Sequence, residues 1–181
     1  MNKKFITFEG VDGTGKSTLA KAVAEKMGAF YLECPPDEFR QLKPKADAEY
    51  GPDARFQFYL AGNYRAAQLI AQMLKTKSVV CVWYIHATVA YHSVLLDRDL
   101  NMNGHLILPN YIVYATADWK IIDQRLKARP EKSKYESIPF LKKVAAKYDE
   151  LFHGRPNDVI KIDTGKESLD QLVERICQKA F

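Results

Sequence analysis

Nine residues near the amino terminus, Gly10-Val11-Asp12-Gly13-Thr14-Gly15-Lys16-Ser17-Thr18, combine closely spaced glycines with a lysine and two hydroxyls. The first eight satisfy the pattern G-x-x-x-x-G-K-[ST] in the context it requires, since a β-rich run precedes it and a helical pattern follows. Glycine is needed where backbone wraps closely round a phosphate and turns its N–H groups inward, at the positive end of the next helix. Lys16 adds a mobile positive charge for the β- and γ-phosphates of a bound triphosphate, and the Ser17 hydroxyl is a hard oxygen ligand for Mg²⁺. Glu9, which ends the preceding strand, is the carboxylate candidate for reaching that metal through water. The competing reading is a glycine-rich β-to-α turn with an incidental lysine; the complete motif in the right context favours triphosphate binding.

A second pair of residues suits the same chemistry. Arg125 and Arg129 stand four apart in a helical pattern and so share a helix face. Arginine binds phosphate through a planar fork, and cations brought in by a closing lid stabilise charge on a phosphoryl group in flight. Lys16, Arg125 and Arg129 are the candidate catalytic cations. The plainer alternative is that cations near a helix C-terminus complement its dipole.

The elements that must hold these groups follow from periodicity. Lys4–Phe8, Ala29–Leu32, Ser78–Val82, Tyr111–Ala115 and Val159–Asp163 read as strands. Lys16–Met27, Asp53–Lys75, Ile85–Arg98, Asp118–Arg129, Ser137–His153 and Ser168–Lys179 carry apolar residues at three- and four-residue spacing and read as helices. Strands alternating with long helices predict a parallel sheet covered on both faces, with ligands at the carboxyl ends of the strands. Asp118 or Thr116, and Ser168, are expected helix caps. The stretch from Cys34 to Pro52 has four prolines and no clear period, so it is either functional or holds a short helix.

Composition bounds the answer. A chain of 181 residues with 47% apolar residues predicts one domain, 1–181, with a single core and no need of disulfide or structural metal. Cys34, Cys81 and Cys177 are too widely spaced for a disulfide framework or zinc knuckle and read as buried free thiols of a reducing compartment. No apolar run approaches the ~20 residues that span a bilayer, which makes the cytoplasm the expected location. His86, His92, His105 and His153 form no metal-binding pattern. The formal charge of +5 suits an anionic partner, but no stacking-aromatic motif or basic helix stripe points to nucleic acid.

The run Phe8–Thr18 resembles the P-loop of the thymidylate kinase family. The likeness continues at Phe56–Gln68 (FQFYLAGNYRAAQ), similar to the family's helix ending in an arginine at the base pocket, and at Tyr84–Tyr91, similar to the segment after its third strand. Asp123–Arg129 resembles the start of the family's arginine-bearing lid, which the likeness extends over residues of about 125–137, and Ile162-Asp163-Thr164 with Ser168-Leu169 resembles its last strand and helix. The resemblance implies a three-layer α/β/α P-loop fold with a five-stranded parallel sheet. It also implies transfer of a phosphoryl group from ATP to a nucleoside monophosphate, thymidylate first, with Mg²⁺ dependence and a homodimer. By the same likeness Asp12 and Tyr91 fall near the acceptor sugar, Arg65, Asn63 and Phe58 in the acceptor-base region, and Arg40 towards the acceptor phosphate.

One departure is large. The family's third strand ordinarily ends in an Asp-Arg pair, expected near Mg²⁺ and the phosphates, and here Val82 and Trp83 occupy those positions. Position 13 is glycine where some members place an arginine, which leaves that charge to the lid. Asp97-Arg98 is a second Asp-Arg pair, but it stands about 20 Å further along a helix at 1.5 Å per residue. Two other functions therefore stay open at this stage: a kinase acting on a nucleoside hydroxyl, for which Glu9 is the local base candidate, and a nucleotide-binding protein with little turnover. Trp83 is expected to pack in the core or stack on a base.

Overall fold

Phe5–Glu9 (β1) has no exposed side chain, and a strand buried on both faces belongs at the centre of a parallel sheet covered by helices. In the computed structural model, which describes residues 3–101, 104, 106–130 and 133–180, β1 is indeed central. β2 (Phe30–Glu33), β3 (Val79–Val82), β4 (Tyr111–Thr116) and β5 (Val159–Asp163) join it in the order β2-β3-β1-β4-β5, every neighbouring pair parallel. All five expected strands are present, each shifted by no more than a residue or two.

The period of two in the strands sorts the core into layers. Ile6, Phe8, Val80, Val82, Val113 and Ile160 pack on one face against α1 (Lys16–Lys26) and α8 (Leu169–Ala180). On the other face, Phe5, Val79 and Cys81 meet α4 (Pro52–Met73) and α5 (Ile85–Leu96). There too, Ile112 and Tyr114 meet α5 and α7 (Ile138–Phe152). The result is a three-layer α/β/α sandwich, and it explains why α5 shows no polar stripe: it lies between α4 and α7 with every residue from Ile85 to Ser93 buried.

The proline-rich connection holds two short helices, α2 (Asp37–Arg40) and α3 (Lys43–Glu49), too short to show a period. α6 (Trp119–Lys127) stops two residues before the expected Arg129, and α5 stops at Leu96 because Asp97 turns left-handed with φ 48°. Asp118 caps α6 by accepting from the Lys120 N–H at 2.8 Å, and Ser168 accepts from Gln171 N–H at 3.3 Å at the start of α8. The three cysteines are free and buried. Residues 131 and 132 of the expected lid and His105 lie outside the described residues. Among the described residues no helix is long and apolar enough to cross a membrane.

β1 ends on Gly10, whose φ of 135° few other residues adopt, and a Cβ placed there would lie 2.3 Å from the Ala115 carbonyl oxygen at the end of β4. Replacing Gly10 by Ala therefore strains the backbone and pushes two strand ends apart. Gly10→Ala is expected to cost about 1–3 kcal/mol of stability or more, read as a lower melting temperature in calorimetry.

Candidate functional site

The turn from Gly10 to Gly15 reverses β1 into α1 at the carboxyl edge of the sheet. Gly15 caps α1 with φ 78° and no side-chain cap, so the first-turn N–H groups keep their capacity for an anion. Gly13, at φ 83°, sits so close to α6 that a Cβ would meet the Ile122 side chain and carbonyl at 3.0 and 3.1 Å. Inside the turn Thr14 Oγ1 donates to the Val11 carbonyl at 2.9 Å and braces the loop.

Lys16 is 3% exposed. Its Nζ donates to the Val11 carbonyl at 2.9 Å and rests 3.4 Å above the centre of the Trp83 ring. Burial lowers its pKa from 10.5 to about 8; Asp12 and Glu9 oppose the shift and Arg129 adds to it. Trp83 can present its face in this way because it follows β3 with φ 67°. Its ring edge meets Tyr91 at 5.6 Å between centroids. Val82 points the other way and is fully buried against α1 and α8.

Beside Trp83 opens a cleft of about 340 Å³, lined by one group of Asp12, Tyr91 and Arg129 and a second of Arg55, Tyr59 and His92. Asp12 and Tyr91 bind each other twice: the Tyr91 hydroxyl donates to Asp12 Oδ2 at 2.8 Å and accepts from the Asp12 N–H at 3.1 Å. Arg129 reaches Glu136 at 2.9 Å and Asp12 at 3.7 Å. Arg40 lies at the mouth, donating to the Glu33 carbonyl at 3.0 Å and pairing with its carboxylate at 3.3 Å.

Other expected site residues stand elsewhere. Arg65 does not reach the cleft: it is on the outer face of α4, 2.6 Å from Glu38 with its side chain 42% exposed. Phe58 belongs to a ring cluster with Phe39, Tyr50 and Tyr59. Asn63 is fully buried and shapes the wall from behind, donating to Thr88 Oγ1 at 2.6 Å and to the Tyr59 carbonyl at 2.9 Å and accepting from the Cys34 thiol. Arg125 and Arg129 diverge, because α6 ends between them. Arg125 donates to the Gly13 carbonyl at 3.3 Å and to Thr164 Oγ1 and O at 2.9 and 3.1 Å, holding the turn to the end of β5. Glu9 faces the α7 side, accepting from Tyr84 N–H at 3.2 Å and the Tyr148 hydroxyl at 3.4 Å, with His86 Nδ1 at 3.7 Å. Among the described residues no three His, Cys, Asp or Glu side chains converge as a metal site. Ser17, in the first turn of α1, and Thr18, exposed beside it, are the hydroxyls at the cradle.

Sequence reasoning passed over Arg55, His92 and Tyr135. Arg55 stands one turn before Tyr59 on α4, a spacing that puts the two on one face, but nothing in the residue types announces that the arginine is buried.

A doubly covered parallel sheet with this turn at its carboxyl edge defines a P-loop nucleotide-binding protein. A family model described as thymidylate kinase matches residues 8–176. The probable thymidylate kinase of Methanocaldococcus jannaschii is 31% identical over 184 residues, covering 97% of this chain and 95% of that one. The thymidylate kinase of Leptospira interrogans is 28% identical over 201 residues, covering 99% and 95%. Among solved structures, thymidylate kinase from Candida albicans superposes with a TM-score of 0.79 at 19% identity, over 98% of this chain and 90% of that one. The enzyme from Ehrlichia chaffeensis gives 0.72 at 18% identity over 98% of each chain. The chain belongs to the thymidylate kinase family.

The depressed Lys16 pKa has a readable consequence. Between about pH 8 and 10.5 the unfolded chain carries the Lys16 proton and the folded chain does not, so this group's contribution to stability rises with pH across that window. In a Trp119→Phe background, which leaves Trp83 as the one tryptophan, emission of the ligand-free protein is expected to titrate with a midpoint near 8 as the ammonium over the ring loses its charge. Adding Lys16→Met should abolish that titration.

Proposed function

We propose that this chain transfers the γ-phosphoryl group of ATP to thymidine monophosphate. The observation that carries the reading is the meeting of cradle and cleft at one charged atom: Lys16 Nζ lies between the Val11 carbonyl of the phosphate turn and the ring of Trp83 that walls the cleft. Membership of the thymidylate kinase family supports the donor and the acceptor.

In this reading the backbone N–H groups of residues 10–18 hold the donor phosphates at the start of α1. Lys16 exchanges a carbonyl and a π-face for phosphate oxygens, which restores its full charge. Ser17 would hold Mg²⁺ together with phosphate oxygens, and the ion would neutralise charge on the β- and γ-phosphates. The hard hydroxyl oxygen suits that ion; Glu9 takes no direct part, since both its oxygens are engaged in the interior.

On the acceptor side the Asp12–Tyr91 pair is placed to meet the sugar, and Arg129 swings between Glu136, Asp12 and the transferring group. Arg40 serves the cleft mouth, Asn63 shapes the wall, and Arg65 and Phe58 fall outside the acceptor's reach. Arg125 acts through the turn it holds. Residues of about 125–137 then act as a lid that excludes water while the phosphoryl moves, so that positioning and charge carry the rate. A nucleoside hydroxyl as acceptor is disfavoured, because Glu9, the candidate base, is directed away from the cleft. One domain over 1–181, a homodimer and a cytoplasmic location complete the proposal.

The test is release of ADP from ATP and Mg²⁺ that depends on thymidine monophosphate, against a panel of other monophosphates and nucleosides. Lys16→Ala is expected to lower kcat/KM by about 30- to 5000-fold, as for loss of a buried charged hydrogen bond. Undiminished turnover in that variant would contradict the assigned cradle.

A further inference from the structure

The cleft contains a cation for which neither the phosphate turn nor the lid accounts. Arg55 comes from the first turn of α4, its side chain is 7% exposed, and it lines the same cavity as Asp12. Nε donates to Asp47 Oδ1 at 2.8 Å, Nη1 to His92 Nε2 at 2.9 Å and Nη2 to the Tyr59 hydroxyl at a long 3.5 Å. A guanidinium has five N–H donors. Among the described residues these contacts engage three, which leaves one on each terminal nitrogen.

The group is also locked in place. The rings of Tyr59 and Tyr135 lie 4.6 and 4.1 Å from its central carbon, the second contributed by the expected lid. His92 is held as the tautomer that donates from Nδ1 to the Thr88 carbonyl at 2.8 Å and accepts at Nε2; burial and the neighbouring guanidinium lower its pKa to about 4. A fixed, desolvated arginine with free donors is a recognition group already in its bound geometry.

Charge bookkeeping points the same way. Arg40 is matched by Glu33, and Arg129 by Glu136 and Asp12. Lys43 and Arg55 share the one carboxylate of Asp47 beside a neutral histidine, so this corner has one positive charge in excess.

We propose that Arg55 is a specificity-determining residue of the acceptor site, donating to an oxygen of the acceptor nucleotide across the cleft. This rests on the acceptor being a nucleoside monophosphate, and its test is read at equilibrium, without chemistry. Arg55→Gln and Arg55→Lys are compared with wild type in calorimetric titrations with thymidine monophosphate, thymidine and ATP with Mg²⁺. Asp47 keeps Lys43 and Tyr59 as partners in both variants, so the carboxylate is not orphaned.

Arg55→Gln is expected to weaken thymidine monophosphate by about 10- to 100-fold with ATP unchanged within twofold, and Arg55→Lys to recover part of the loss. Weakening confined to the monophosphate supports contact with a phosphoryl oxygen; equal weakening of thymidine supports contact with a sugar or base oxygen. Unchanged acceptor binding in Arg55→Gln would overturn the proposal, as would wild-type protein that binds neither acceptor. Parallel loss of ATP binding and melting temperature in both variants would assign Arg55 a purely structural role and overturn it too. Wild-type protein that binds the acceptor without releasing ADP would sink the phosphoryl-transfer reading and leave this one standing.

Discussion

A buried ammonium ion must be given something to replace water. Lys16 is given one carbonyl oxygen and one aromatic face, which is enough to keep it charged near neutrality and too little to keep its ordinary pKa. That under-satisfaction organises the site. The carbonyl comes from the phosphate turn, and the ring comes from Trp83 in a left-handed conformation at the end of β3. A group bearing several anionic oxygens offers the ammonium far more than either, so the resting contact stores affinity for a polyphosphate.

The cleft beyond follows the same economy of charge. Its cations are tied to carboxylates, most of which stand on a different element. Arg129, past the end of α6, pairs with Asp12 in the turn after β1, and Arg55 on α4 pairs with Asp47 on α3. Such pairs add little net stability, because desolvation offsets much of the attraction. They do set where each guanidinium waits, which suits a site whose task is to hold a polyanion in one geometry.

Much of this was legible in the residues. The cradle could be read because its chemistry demands particular residue types at consecutive positions, and the three inner strands because burial on both faces leaves a nearly continuous apolar run. Arg125 and Arg129 misled for a definite reason: the four-residue rule that puts two side chains on one face holds only inside a helix, and α6 ends at Lys127. Arg65 and Arg55 stand on the same helix, yet only the less conspicuous one is buried in the cleft. Local pattern says which face a residue is on, and tertiary packing decides what that face meets. Residue type alone lets Trp83 pack in the core or stack on a base; its seat beneath the lysine depends on a positive φ that no propensity signals.

One further contact has a bearing on where the cradle comes from. Thr164, at the end of β5, donates to the Thr14 carbonyl at 2.7 Å while Arg125 grips Thr164 and the Gly13 carbonyl together. The nine-residue motif is thus moored to a strand laid down some 150 residues later. A nascent polypeptide that has emerged only through β3 already carries every residue of the turn, but not the anchorage that shapes it. Competence to grip a phosphate arrives late in synthesis, with the last strand.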